Sequence, residues 1–230
     1  MSENWICSGF AVCYGFCGDH PGGEFNSRPG AFAPDIFNFT CPGASCPTLL
    51  AVTTNPWTNS TSTMSGSYEA AVYSDPTNTF GAGDLDFVYQ VSNNAGSTDS
   101  IGRLTAIDFT GFSTDVGYTS TGSTLGAGFV DGTVAPELVD RVSPGDSVGF
   151  SFNAPLTTLI APGQTSTVLI IETNATNFTT GDLNIIDGGV STVAAYEPAA
   201  ALTTPEPGTL VLFGSGLLGM AGFIRRRVRL

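Results

Sequence analysis

From about Thr48 to Tyr196, apolar and polar residues alternate with period two, and clusters of Gly, Pro, Asn and Asp break the pattern at intervals of roughly 8 to 15 residues. Such a pattern predicts strands joined by turns. Leu85, Phe87, Tyr89 and Val91 alternate with Asp86, Val88 and Gln90 and run into the turn Ser92-Asn93-Asn94-Ala95-Gly96. Val148, Phe150 and Phe152 alternate with Gly149 and Ser151 after the turn Ser143-Pro144-Gly145-Asp146. Both read as strands with one buried face. Further strands are predicted at Gly66–Tyr73, Arg103–Phe109, Glu137–Val142, Thr167–Glu172, Leu183–Ile186 and Val190–Tyr196. Within Thr167–Glu172, Val168, Leu169, Ile170 and Ile171 follow one another without a polar residue, which predicts a strand covered on both faces. About eight short strands with turn punctuation favour a single antiparallel β-sandwich, set at 48–198. No fixed repeat is visible, which argues against a β-helix.

Composition narrows the chemistry. The chain has 230 residues, 41% hydrophobic and only 12% charged, with 29 Gly and 16 Phe. Twenty acids oppose seven bases for a net charge of −13, and all seven bases are Arg. An anionic, Lys-free chain is poorly suited to a phosphate backbone, so no nucleic-acid partner is expected. Without Lys there is no P-loop, no Schiff-base Lys and no Ser-Lys dyad. His20 is the sole histidine, so a multi-histidine zinc site is excluded, and any Ser-His or Cys-His site has to use that one position.

The pattern changes at Pro205. Pro205-Glu206-Pro207 precedes the uncharged stretch Thr209–Ile224, and Arg225, Arg226, Arg227 and Arg229 follow it. Sixteen helical residues span roughly 24 Å, slightly less than the ~30 Å hydrocarbon core, and Arg snorkelling can make up the difference. A transmembrane helix over 209–224 is therefore predicted, with the Arg cluster holding the C-terminus on the cytoplasmic side. A buried core helix is the simpler reading, yet after the leading Thr209 the stretch holds only one polar side chain, Ser215.

These three elements, in this order at the chain end, resemble the PEP-CTERM sorting signal of Gram-negative bacteria, a tail also labelled ice-binding protein C-terminal region. The resemblance covers about residues 204–230. It implies export, transient anchoring in inner-membrane lipid, recognition by an exosortase near Pro205-Glu206-Pro207, and delivery to the cell surface or an extracellular polysaccharide matrix. The label mentioning ice describes the tail and implies no activity. The stretch Asp84–Tyr118 resembles segments of other uncharacterised proteins with this tail, with no activity attached.

Residues 1–47 read as an irregular, Cys-containing segment. An exported chain needs a basic n-region and an apolar core. Here Met1–Asn4 carries Glu3 and no base, and Trp5–Gly18 is only moderately apolar. This segment is either a divergent or defective signal or the product of a mis-called start or frame, since Leu codons read one base out of register often give Cys or Trp. A basic, Leu-rich segment in another frame upstream would decide for the second. Cys7, Cys13, Cys17, Cys41 and Cys46 all lie in this region, and Cys41-Pro-Gly-Ala-Ser-Cys46 is a candidate disulfide loop.

Candidate sites in the sandwich are sparse. Asp84 and Asp86 flank Leu85 and, on a strand, would share a face about 7 Å apart. With Asp99 or Asp108 they are a weak candidate Ca²⁺ set, since no Asp-x-Asp-x-Asp-Gly loop is present; the simpler reading is a solvated strand face. Trp57, Tyr73, Tyr118 and Tyr196 are candidates for stacking on sugars, against the commoner role of packing. Thr61, Thr63, Thr157 and Thr158 form no regular array of the kind an ice-binding face needs. Sequons at Asn38, Asn59, Asn174 and Asn177 fit an Asn- and Thr-rich composition. The expectation is a non-catalytic surface or matrix protein without a cofactor, with a structural, adhesive or glycan-interacting role. The alternative is a secreted carboxylate-based polysaccharide hydrolase. Without residues 206–230 the chain has nineteen acids against Arg28, Arg103 and Arg141, or −16.

Overall fold

The computed structural model describes residues 30–37, 46–142, 146–152, 158–187 and 189–200. Twelve strands run through them: β1 (Gly30–Phe32), β2 (Asp35–Ile36), β3 (Thr48–Thr58), β4 (Ser65–Ser74), β5 (Leu85–Asn93), β6 (Arg103–Ile107), β7 (Thr114–Thr119), β8 (Leu138–Arg141), β9 (Ser147–Ser151), β10 (Val168–Thr173), β11 (Asn177–Ile186) and β12 (Val190–Ala199). The first sheet has the order β1-β8-β9-β6-β11-β12 and the second β2-β7-β10-β5-β4-β3. Each of the eight segments expected from period two is a strand, and all pairings are antiparallel except β2 with β7, which is parallel. The sandwich also reaches ahead of Thr48, because β1 pairs with β8 and β2 with β7.

β3 and β7 carry weak alternation. β3 holds Asn55 and Pro56 and survives as a strand because it forms the sheet edge, where proline is tolerated. β7 holds Gly117 at a close approach: a Cβ there would lie 2.5 Å from the Asp35 carbonyl oxygen and 2.6 Å from the Phe37 ring. Only tertiary pairing with β2 gives that glycine its purpose.

The inner faces of the two sheets enclose one core. Phe87, Tyr89, Leu169, Ile171 and Val116 from the second sheet pack with Leu104, Ala106, Phe150, Leu183 and Ile185 from the first. Phe87 and Phe109 meet edge to face at 5.4 Å between ring centres. Near β12 the sheets are also joined by hydrogen bonds, the Tyr68 hydroxyl donating to the Ala194 carbonyl and the Tyr89 hydroxyl to that of Tyr196.

The second sheet has a second covered face. Ala71, Tyr73, Val88, Val168 and Ile170 point outward and pack under Phe129, with Leu125, Ala127 and Phe37 alongside. The expectation of one buried face for β5 is thereby corrected, since Asp86, Val88 and Gln90 are buried too. The two-sided cover expected for β10 is present. Gln90 fastens the covering segment: its amide donates to the carbonyls of Val130 and Ser166, and its oxygen accepts from the Val130 amide. The Tyr73 hydroxyl donates to the Leu125 carbonyl. Gly128 lies over Glu69 at φ +95°, and a Cβ there would be 2.5 Å from a Glu69 carboxylate oxygen.

The predicted helix Thr209–Ile224 lies outside the described residues. Among the described residues, no helix is long and apolar enough to cross a membrane.

Candidate functional site

The outer face of the second sheet is layered by the register of its strands. At one end Glu69 pairs with Gln90, and in the middle Ala71, Val88 and Ile170 form the apolar row under Phe129. At the other end Asp86 pairs directly with Glu172, which pairs directly with Asp115. Adjacent strands lie about 4.8 Å apart, so this row places three acids side by side. Asp75, just beyond β4, joins them. Asp75, Asp86 and Glu172 are all buried and each offers a carboxylate oxygen within 4.8 Å of the others.

The turn between β4 and β5 holds these carboxylates. The Thr77 amide and hydroxyl donate to Asp75 Oδ1 at 2.7 and 2.8 Å. The Asn78 amide donates to Asp86 Oδ1 at 2.8 Å, while Asn78 Oδ1 accepts from the Phe80 amide. The Thr79 amide donates to Glu172 Oε2 at 3.0 Å. Asp86 Oδ2 is fully enclosed and has no hydrogen-bond partner. Burial, then the charges of Glu172 and Asp75, push the Asp86 carboxyl well above the usual carboxylate range, with Asn78 opposing the shift. Burial likewise raises Glu172, against the Thr79 hydrogen bonds that lower it. Chemically, such a trio can share protons or offer hard oxygen ligands to a divalent cation.

Of the acids singled out from sequence, only Asp86 belongs to this cluster. Asp84 precedes the strand, is half-buried and lies outside the trio, so Asp84 and Asp86 do not form a pair on one strand face. Asp108 lies beside Glu197 and Asp99 near Asp187, both away from Asp86. Asp75 and Glu172 were missed. A signal for Glu172 was present, because an acid ending a strand read as covered on both faces requires a partner or a ligand.

The aromatic candidates are engaged in packing. Trp57 lies in the inner core and Tyr73 beneath the outer cover. Tyr118 and Tyr196 are partly buried against the core, Tyr196 meeting Phe178 edge to face at 5.8 Å. They do not form one exposed platform. Thr61 and Thr63 accept from the Asn59 amide, whose own oxygen accepts from the Met64 amide, so Asn59 is buried at the base of a turn whose Ser60 and Thr61 are exposed. Thr158 donates to Glu137. Pro205, Glu206, Pro207, Arg225, Arg226, Arg227, Arg229 and Cys41 lie outside the described residues, as do Asn38 and Thr157. Cys46 is half-buried.

The described residues thus define an all-β protein of two packed sheets, with a buried acidic cluster at one end of an outer sheet face. Residues 203–227 match the PEP-CTERM protein-sorting motif. The chain accordingly carries a PEP-CTERM sorting motif near its C-terminal end, a signal that implies export, sorting by an exosortase and delivery to the cell surface. No curated protein and no solved structure matches the chain.

Proposed function

We propose that this chain is a non-catalytic surface or extracellular-matrix component, in which an acidic β-sandwich is exported, held in the inner membrane with its C-terminus cytoplasmic, and released by exosortase processing. The observation that carries this reading is the joining of a sorting motif to a sandwich rich in acids and poor in bases. Basic charge gathers in the tail, where topology uses it. The chain ahead of the tail, at −16, repels acidic polymers, so a polysaccharide partner would be neutral or bridged by cations. The buried trio is a poor fit to hydrolysis: retaining pairs stand about 5 to 5.5 Å apart and inverting pairs about 6.5 to 9.5 Å, both open to substrate.

The test is fractionation in a Gram-negative host with and without an exosortase. The intact chain should reach the surface only when the exosortase is present, and a chain lacking 203–230 should not be retained in the inner membrane. Surface delivery that ignores both changes would sink the sorting role. Release of reducing sugar from polysaccharide by the purified chain would favour the hydrolase instead.

A further inference from the structure

We propose that Asp75, Asp86 and Glu172 form a Ca²⁺ site that ties the turn between β4 and β5 to the end of β10. Direct cross-strand pairing of like charges is unfavourable, and the Asp86–Glu172 pair is buried with Asp75 beside it and Asp115 in the same row. Taking several carboxylates out of water costs heavily unless a cation or protons neutralise them. A proton shared between Asp75 and Asp86 is the competing outcome, and the hydrogen bonds of the turn leave room for a cation in its place. In every member of the trio the turn occupies one oxygen, Asp75 Oδ1, Asp86 Oδ1 and Glu172 Oε2, which leaves the second oxygen of each for a ligand. Asp86 Oδ2 is enclosed and unpartnered, the condition of an oxygen positioned for a ligand that is neither protein donor nor bulk water.

The donor set identifies the ligand class. Three carboxylate oxygens with no nitrogen or sulfur suit a hard cation. Separations within 4.8 Å let all three oxygens reach one cation, and a buried set of protein oxygens suits Ca²⁺ better than Mg²⁺, which keeps several of its waters and demands a near-ideal octahedron. Further ligands would come from water or backbone carbonyls of the turn. This inference is independent of the chain's role at the surface, although export brings the site into contact with extracellular Ca²⁺.

The experiment uses the full-length chain in detergent, stripped with EDTA and returned to metal-free buffer. Calorimetric titration with CaCl₂ should give one ion per chain with Kd of about 10⁻⁵ to 10⁻³ M, and at least about tenfold weaker binding of MgCl₂. At a hundredfold excess over Kd, Tm should rise by roughly 5 to 10 °C. Asp86→Asn should weaken Ca²⁺ binding at least about tenfold and remove most of that rise, while its Tm in EDTA is no lower than that of the parent chain. Glu172→Gln and Asp75→Asn provide the same comparison if Asp86→Asn does not fold. The absence of both heat and a Tm shift at about 10 mM CaCl₂ would overturn the proposal. So would a shift that persists undiminished in these variants, or tighter binding of Mg²⁺.

Discussion

Asp86 on β5 and Glu172 on β10 are direct partners in an antiparallel pair, on the outer face of their sheet and shielded from water. Their carboxyls are both raised, chiefly by burial. A carboxyl raised on folding binds more protons in the folded than in the unfolded state, so stability declines as pH climbs from the unfolded toward the folded value. In EDTA, Tm should therefore fall between mildly acidic and neutral pH. Asp86→Asn should reduce that slope and leave Tm at pH 7 unchanged or higher by a few degrees, roughly 2 to 4 °C per kcal/mol relieved. A pH–Tm series on both proteins checks it, and a steeper slope in the variant would contradict it.

Gln90 supports the outer cover through three hydrogen bonds, two to carbonyls and one from the Val130 amide. Gln90→Leu removes them and strands polar groups of Val130 and Ser166, at a cost of about 2 to 3 kcal/mol. Loss should begin locally, because Phe129 and its neighbours form a small cluster separate from the main core. Limited proteolysis should cut within residues 120–135 under conditions where the parent chain is intact.

Arg141 is buried, and its guanidinium donates to the carbonyls of Phe109 and Phe112 at 2.7 and 2.8 Å and to the Thr114 hydroxyl at 3.2 Å. It pins the loop between β6 and β7. Arg141→Met keeps much of the packing but leaves these acceptors without their donor, and should cost about 2 to 4 kcal/mol in urea unfolding. A change below about 0.5 kcal/mol would show that the loop supplies its own donors.

Glu197 on β12 is raised from 4.5 to about 7, first by burial and then by Asp108 and Asp182. The folded state therefore holds an extra proton between about pH 4.5 and 7, and stability drains away as pH rises through that window. Glu197 is half-buried, so solvent screening reduces the effect. Glu197→Gln should flatten the pH–Tm curve there without lowering Tm at pH 5, and NMR titration of the side chain should place its midpoint near neutrality.

Much of the sandwich was legible locally. Period two located β4, β5, β6 and β8 to β12 because alternation is carried by neighbouring residues, and the run Val168–Ile171 foretold a strand covered twice. β3 and β7 were hidden, the one by Pro56 at a sheet edge and the other by Gly117 under β2, since their strand character comes from a partner. Asp86 was visible as a candidate, but its neighbour Asp84 drew attention to spacing along one strand. The trio is assembled across the sheet, Asp86 joining Asp75 and Glu172, the latter 86 positions after Asp86.

By itself the sequence determined the all-β class, most strand positions, the acid excess and the sorting tail, because composition, alternation and an ordered motif are local properties. The tertiary structure decided which acids meet. Strand register alone sets Glu172 opposite Asp86, and a segment some forty residues beyond β5 covers the face that alternation would have left to water. Register and cover are long-range choices, made by the packing of whole sheets, and no single strand encodes them.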